Sequence, residues 1–147
     1  MLDNKGKKIR LSSTIDANES QFLFDFIINN KEIESVLEIG CGHGISSLTI
    51  SSALEERTGS KHTIIDPYQE EIFSNLGIQL LEEQNLSNFI FIDKKSSDAL
   101  PNIDDQFDLI FIDGWHTFDN VMVDIFYSIN LVKPGGYIIL DDADFPS

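Results

Sequence analysis

A chain of 147 residues, 41% of them hydrophobic, is long enough to bury one core and does not have the composition of a disordered protein. Its formal net charge of −15 repels phosphate backbones and argues against a DNA or RNA partner. No apolar run is long enough for a membrane span or a signal peptide, and the single cysteine, Cys41, excludes an internal disulfide, so we expect a cytoplasmic protein.

The chain opens with a short extension, which is followed by a helical pattern. Residues 1–17 are expected to form an N-terminal extension, and residues 18–147 a single domain. Residues 18–30 open with Asn18, a favourable N-cap, and predict a first helix. The apolar stripe of that helix is made of Phe22, Phe26 and Ile27.

Five β-rich runs alternate with helical patterns along the rest of the chain. The runs that predict strands are residues 35–39, 62–66, 88–93, 107–113 and 137–142. The segments that predict helices are the one carrying Ile45, Leu48 and Ala53, then residues 69–85, where Gly77 weakens the pattern, and residues 118–129. Most of the 11 phenylalanines fall at helix or strand periods and are expected in the core. The alternation predicts an α/β fold with a Rossmann-like, doubly wound parallel sheet.

Each of the five predicted strands has an acidic residue at or near its end. These residues are Glu38, Asp66, Asp93, Asp113 and Asp141. Because parallel strands present their carboxyl ends at one edge of the sheet, where open α/β sheets bind ligands, we expect the five carboxylates around one crevice. The alternative is that each acid only caps the end of its strand or the helix that follows.

The first strand runs into a glycine loop, VLEIGCGHG, at residues 36–44. Its third glycine, Gly44, comes one position too early for the G-x-G-x-x-G pattern of dinucleotide sites, so a nucleotide-dependent oxidoreductase is disfavoured. The spacing E-x-G-x-G-x-G suits a ligand that lacks phosphate and has a positive end. Glu38 is placed to hold that end, directly or through water, and Asp66 to accept ribose hydroxyls.

Four segments resemble, in this order, the successive motifs of class I S-adenosylmethionine-dependent methyltransferases: VLEIGCGHG, IIDPY, FDLIFIDGWH and LVKPGGYIILDD. The resemblance extends from residue 20 to residue 142. It implies a methyltransferase core that binds S-adenosylmethionine. The two strands that follow strand five in this family, strands six and seven, are missing. We therefore expect either a C-terminally truncated fragment or a partner, such as a second copy in a homodimer, over the edge of strand five.

The resemblance also implies a set of cofactor-binding residues. They are Glu38, Gly40 and Gly42 for the methionine part, Asp66 for the ribose, Ser96 and Trp115 for the adenine, and Asp113 beside them. Trp115 is the chain's single tryptophan, and the alternative for it is an ordinary core or rim aromatic.

A metal site and a catalytic base follow from the same resemblance. Asp113, Asp141 and Asp142 look like the divalent-metal site of catechol-type and of sugar and macrolide O-methyltransferases, and carboxylate oxygens suit Mg²⁺ or Ca²⁺. Such a metal lowers the pKa of the acceptor oxygen, which would make Asp113 catalytic as well as metal-binding. His116 matches a catalytic lysine of the catechol-type enzymes and is our candidate general base, with a surface helix cap as the alternative.

These observations favour a Mg²⁺-assisted O-methyltransferase that acts on a small hydroxylated acceptor of sugar or natural-product type. The alternative is a non-catalytic module that binds the cofactor or keeps the fold as a scaffold. Neither hypothesis involves a nucleic acid or a membrane.

Overall fold

The computed structural model describes residues 15–115 and 117–141, which form a five-stranded sheet covered by helices. The strands are β1 (Ser35–Ile39), β2 (Lys61–Ile65), β3 (Phe89–Ile92), β4 (Phe107–Ile112) and β5 (Val132–Leu140). The helices are α1 (Ala17–Asn29), α2 (Ile45–Leu54), α3 (Leu76–Glu83), α4 (Ser96–Ala99), which continues into a 3₁₀ turn at Leu100–Asn102, and α5 (Phe118–Leu131). None of the helices described is both long and apolar enough to cross a bilayer.

The strands lie in the order β3-β2-β1-β4-β5, and every neighbouring pair is parallel. The chain moves outward from β1 to β3 and then returns to pair β4 with β1, so the strand order reverses between β1 and β4. The predicted Rossmann-like, doubly wound sheet is confirmed, with all five of its strands. In such sheets the crevice at the point of reversal is the usual ligand site.

The central strands are buried on both faces of the sheet. On β1, Val36 packs with residues of α1 and α2, whereas Leu37 packs on the opposite face with residues of α4 and α5. On β4, Leu109 and Ile110 alternate in the same way. Strands covered on both faces appear in a sequence as continuous apolar runs, which is why these runs located the strands correctly.

Helix α1 begins earlier than predicted, and its N-cap is Asp16, not Asn18. The Asp16 carboxylate accepts hydrogen bonds from the backbone N–H groups of Asn18 (2.7 Å) and Glu19 (2.9 Å), and the Glu19 carboxylate accepts one from the Asp16 N–H (2.5 Å). This reciprocal capping box satisfies donors that the first turn leaves open. Phe22, predicted in the apolar stripe, is 59% exposed, and Leu23 is buried in its place.

Two element boundaries also differ from the prediction. The helix predicted over residues 69–85 is shortened to α3, because Ser74 and Asn75 adopt positive φ angles of 54° and 60° and interrupt the helical run. Strand β5 begins at Val132, before the predicted start at residue 137, and a register shift in its pairing with β4 accommodates the Pro-Gly-Gly segment.

Helix α5 lies where the sequence predicts a helix, but its apolar stripe faces outward. The exposed fractions of its large apolar side chains are 79% for Phe118, 48% for Met122, 64% for Phe126 and 62% for Ile129. The buried side of the helix carries Asp124 (1% exposed) and Ser128 (0%). The expectation of a core position is therefore wrong for Phe118 and Phe126, and polar groups of α5 face the interior near the ligand edge.

Candidate active site

A cavity of ≈ 540 Å³ opens at the carboxyl edge of the sheet, where the strand order reverses. Its wall contains these predicted site residues: Gly40, Gly42, Asp66, Ser96, Asp113, Trp115 and Asp141. Glu38 and Asp93 do not line it. Of the five carboxylates expected around one crevice, the cavity is thus lined by three, Asp66, Asp113 and Asp141. Small-molecule sites usually have volumes of about 300–1,000 Å³, so the cavity is large enough for a cofactor.

The glycine loop approaches the loop after β4 so closely that it leaves no room for a side chain. Gly40 has a φ angle of +94°, and a Cβ atom at this position would lie 2.0 Å from the backbone oxygen of Asp113. Gly44 has a φ angle of +85°, and its Cβ atom would lie 2.6 Å from the Cα atom of Gly77. The glycines therefore let the glycine loop pack closely against the loop after β4 and against α3, and the close approach of Gly44 explains why residue 77 is a glycine.

Asp66 organises the glycine loop from the end of β2. Its Oδ2 atom accepts hydrogen bonds from the backbone N–H groups of Cys41 and Gly42, both at 2.9 Å, and from the side-chain amide of Gln69 at 3.1 Å. Its Oδ1 atom accepts one from the Tyr68 N–H at 2.7 Å. Most of the acceptor capacity of Asp66 is thus used within the protein, and the remainder is on Oδ1. These hydrogen bonds from the glycine loop to Asp66 were not predicted from the sequence.

Glu38 lies beneath the glycine loop. Its side chain is wholly buried, and Oε2 accepts a hydrogen bond from Ser47 Oγ at 2.5 Å and lies 3.2 Å from His62 Nε2. The other ring nitrogen of His62 lies 2.8 Å from Ser51 Oγ. Oε1 of Glu38 has no hydrogen-bond partner within the part of the chain described. This buried position does not fit a direct contact of Glu38 with a ligand in the cavity, and the water-mediated contact stays a prediction.

Two aromatic side chains flank the outer part of the cavity. Trp115 is 53% exposed, and its ring centroid lies 5.3 Å from that of Tyr68, with the planes inclined by 48°. Both residues line the cavity. Exposed aromatic faces offer a stacking surface to a planar ring, so the geometry is compatible with the predicted packing of Trp115 on a base, which stays a prediction.

Among the titratable residues of the wall that were not predicted as site residues, Asp124 of α5 is the most deeply buried carboxyl group. Burial raises the pKa of its carboxyl group above the ordinary value, and a hydrogen bond from Ser96 offsets that effect only in part. A Cβ atom at Gly114 would lie 3.3 Å from Asp124 Oδ2, so the carboxyl group sits behind the loop that follows β4. In the sequence Asp124 is a single acid in the middle of an apolar helical pattern, but that pattern by itself places it on the outward face of the helix.

The predicted metal site is represented by two of its three carboxylates. Asp113 and Asp141 follow the adjacent strands β4 and β5, and both line the cavity. Asp142 and the predicted base His116 lie outside the described residues. Across residues 15–115 and 117–141, no three His, Cys, Asp or Glu side chains form a group that could hold a metal ion. The predicted metal site therefore depends on Asp142 as its third ligand.

Two titratable groups of the glycine loop add no charge to the site. Burial, reinforced by the nearby Glu38, raises the pKa of the Cys41 thiol well above its ordinary value. Burial lowers the pKa of His43, whose ring packs edge-on against Phe73 at a centroid distance of 5.1 Å. Both groups are neutral at pH 7, so the charge at the cavity comes from its carboxylates and from Lys95.

Comparison with known proteins identifies a matching family. A family model described as a methyltransferase domain matches residues 37–143. No curated protein sequence matches the chain.

Solved structures match the fold at low sequence identity. A methyltransferase of Podospora anserina with bound SAH has a TM-score of 0.78 and 17% identity, over 88% of this chain and 54% of its own. An O-methyltransferase of Streptomyces achromogenes involved in tomaymycin synthesis, in complex with SAM, has a TM-score of 0.79 and 20% identity, over 93% and 65%. An O-methyltransferase of Bacillus cereus in complex with SAH has a TM-score of 0.76 and 21% identity, over 88% and 58%. The chain thus spans 54% to 65% of the length of these proteins, and the likeness establishes the fold.

Proposed function

The chain belongs to the methyltransferase-domain family, and on this basis we propose that it transfers a methyl group from S-adenosylmethionine to a hydroxyl oxygen of a small acceptor. The observation that carries the proposal is the bare backbone of Gly40 and Gly42 in the wall of a cavity at the strand-order reversal. The SAM- and SAH-bound proteins that share the fold support it.

The residues at the cavity fit this cofactor part by part. Gly40 and Gly42 present backbone without side chains, which suits the methionine portion, and the unpartnered Oε1 of Glu38 lies below that loop as an acceptor for a water-mediated contact. Asp66 retains acceptor capacity for ribose on Oδ1. Ser96 and Trp115 complete the set at the end that we assign to the adenine.

The bound cofactor supplies an activated methyl group on a positively charged sulfur. The carboxylate of Asp66, together with the charge of Asp113 and Asp141 that a bound cation would leave uncompensated, gives the wall a negative potential that favours the positive sulfur. The glycine loop would fix the methionine part so that the methyl group faces the acceptor, which lowers the entropic cost of reaching the reactive geometry. His116 would take the proton from the acceptor hydroxyl at an imidazole nitrogen.

The proposal includes a divalent cation held by Asp113, Asp141 and Asp142. The position of Asp113 and Asp141 on one cavity wall and the oxygen character of all three donors support Mg²⁺ or Ca²⁺. Such an ion lowers the pKa of a coordinated hydroxyl and orients it. Asp113 would thereby take part in catalysis through the acceptor oxygen.

The acceptor would be a small hydroxylated compound of sugar or natural-product type. A second cavity of ≈ 340 Å³, lined mainly by apolar residues of α1, β4 and β5, shares Glu19 and Asp141 with the first and would admit it. The net charge of −15 favours a small molecule over a nucleic acid.

Two further parts of the proposal concern the surroundings of the protein. Strand β5 is an edge strand of the described sheet, and a homodimer would cover that edge. The free, buried thiol of Cys41 is consistent with a reducing compartment, and we propose the cytoplasm.

The function is tested by calorimetric titration of the purified protein with S-adenosylhomocysteine and, as a control, with NADH. We expect a dissociation constant in the micromolar range for the first ligand, about −8 kcal/mol, and no binding of the second. Binding of NADH alone would favour an oxidoreductase. A folded protein that binds neither ligand would contradict the enzyme assignment and leave the scaffold alternative.

The metal part is tested separately by titration with Ca²⁺ and Mg²⁺ after treatment with EDTA. Asp113→Asn should weaken divalent-ion binding by about 10-fold or more, because it removes a charged ligand. Asp104→Asn, which makes the same change at an exposed position before β4, at the opposite end of that strand from Asp113, is the control. Equal affinity of wild type and Asp113→Asn for both ions would show that the metal proposal is wrong.

A further inference from the structure

The carboxyl group of Asp124 reaches the cavity from the middle of α5. Its side chain is 1% exposed, and it lines the same cavity as Gly40 and Trp115. Ser96, at the start of α4, lies near enough to offset part of the effect of burial on the pKa of this carboxyl group, and a Cβ atom at Gly114 would lie 3.3 Å from Oδ2. The carboxyl group therefore lies where α4 and the loop after β4 meet.

One oxygen of this carboxyl group lacks a donor. Oδ1 of Asp124 has no hydrogen-bond partner among the residues that the structure describes. Nearly all buried polar atoms in folded proteins have a partner, and a buried acceptor without one destabilises the protein that carries it. The pKa of Asp124 is raised because burial disfavours the charged carboxylate and its surroundings offset that effect only in part. Such a group at a cavity wall is suited to a ligand that brings the missing donor.

The cofactor of the proposed function carries hydrogen-bond donors in three places. Its ammonium group belongs to the methionine part, which we assign to the glycine loop. Its ribose hydroxyls are assigned to Asp66. The third donor is the 6-amino group of the adenine, and the residues assigned to the adenine include Ser96, which lines the same cavity as Asp124 and influences its pKa. The unpaired donor of the ligand and the unpaired acceptor of the protein are thus expected at the same end of the cavity.

We propose that Asp124 is a specificity-determining residue that reads the adenine, with Oδ1 accepting a hydrogen bond from the 6-amino group. Ser96 acts as the positioning residue that fixes the carboxyl group from the side of α4. The inference rests on the proposed function and adds to it a reason for base selectivity. A purine without the 6-amino group leaves the buried acceptor unpaired, and sites of this kind reject such analogues strongly.

The test is a cycle of two ligands and four proteins. The ligands are S-adenosylhomocysteine and its 6-deamino analogue, in which hydrogen replaces the amino group. The proteins are wild type, Asp124→Leu, Asp124→Asn and the control Asp119→Leu, which removes an exposed acid from the same helix. Calorimetry gives the ratio of the two dissociation constants for each protein, and circular dichroism confirms that each variant is folded.

We expect the wild type to prefer the amino-bearing ligand by about 10-fold to 100-fold, the range of one hydrogen bond to a buried charged acceptor. Asp124→Leu should reduce the ratio to about 1, because no acceptor remains. Asp124→Asn keeps a side-chain oxygen but not the charge, so it should keep a smaller preference that still exceeds that of Asp124→Leu, and Asp119→Leu should keep all of the wild-type preference. A merely structural role would change the affinity for both ligands equally and leave the ratio unaltered.

The inference can fail in two ways, either alone or together with the proposed function. A wild type that binds both ligands equally well, or a folded Asp124→Leu that keeps the wild-type ratio, would show that Asp124 does not read the base, while the cofactor site itself would stand. A wild type that binds neither ligand would remove the proposed function and this inference together. The two failures are therefore distinguishable within one set of titrations.

Discussion

Replacing Gly40 by alanine should strongly weaken the binding of S-adenosylhomocysteine, whereas replacing Gly59 by alanine should leave it unchanged. Both glycines have left-handed φ angles, +94° and +84°, so both alanines have a comparable conformational cost of about 1–2 kcal/mol. The two positions differ in the space around the new methyl group. At Gly59 no atom lies within 4 Å of it, whereas at Gly40 the backbone oxygen of Asp113 would be 2.0 Å away.

The contact at Gly40 can be relieved only if the glycine loop or the loop after β4 moves. Both loops line the cavity, so either movement displaces the residues that we assign to the cofactor. We expect the affinity to fall by about 100-fold or more, which is about 2.8 kcal/mol. Calorimetry gives the affinity, and thermal unfolding of both variants separates it from stability. If folded Gly40→Ala bound the ligand as tightly as Gly59→Ala, the cavity would not be the cofactor site.

The sheet and its ligand edge were predictable because the relevant signals are local. An apolar run such as residues 107–112 indicates a strand that is covered on both faces. Glycines at residues 40, 42 and 44 indicate a backbone that bends sharply and packs closely against other backbone. Neither signal depends on which elements finally pack together. The order of the runs then predicts a parallel sheet with its ligand edge at the carboxyl ends of the strands.

The role of Asp124 could not be predicted because the rotation of a helix about its axis is a tertiary property. The stripe of Phe118, Met122 and Phe126 suggests an inward face, yet the structure turns that face outward and buries Asp124. Helical periodicity shows which residues share a face, and the packing of α5 on α4 and the sheet decides which face is inside. Asp66 is similar, because its hydrogen bonds to Cys41 and Gly42 join segments far apart in sequence.

The position of Glu38 was within reach of the sequence. Side chains alternate along a strand, so Glu38 must point to the same face of β1 as Val36, which packs against α1 and α2. Its partner Ser47 lies on α2, and its other neighbour, His62, lies on β2. Strand periodicity therefore places Glu38 in the interior, which leaves the water-mediated contact with the cofactor as a prediction.

Replacing Glu38 by alanine should therefore act first on stability. The variant removes the acceptor of Ser47 Oγ and the carboxylate that lies 3.2 Å from His62 Nε2 in a fully buried site. Leaving a buried donor without its acceptor costs about 1–3 kcal/mol, and the cavity left by the shortened side chain adds to that cost, so the loss is a large part of the total stability of a domain. Glu38→Gln keeps a side-chain oxygen for Ser47 and should lose less. Urea unfolding of both variants, with the exposed Glu55→Ala as control, gives the two costs.

The same variants separate the structural role of Glu38 from its proposed contact with the cofactor. Glu38→Gln replaces a full negative charge by a neutral amide while it keeps the size of the side chain. If Glu38 helps to hold the positively charged methionine end through water, the folded Glu38→Gln protein should bind S-adenosylhomocysteine about 10-fold more weakly than the wild type. If it binds equally well while Glu38→Ala is strongly destabilised, Glu38 supports the glycine loop only from below. An Ala variant that unfolds at the wild-type urea concentration would show that the contacts of Glu38 with Ser47 and His62 do not stabilise the fold.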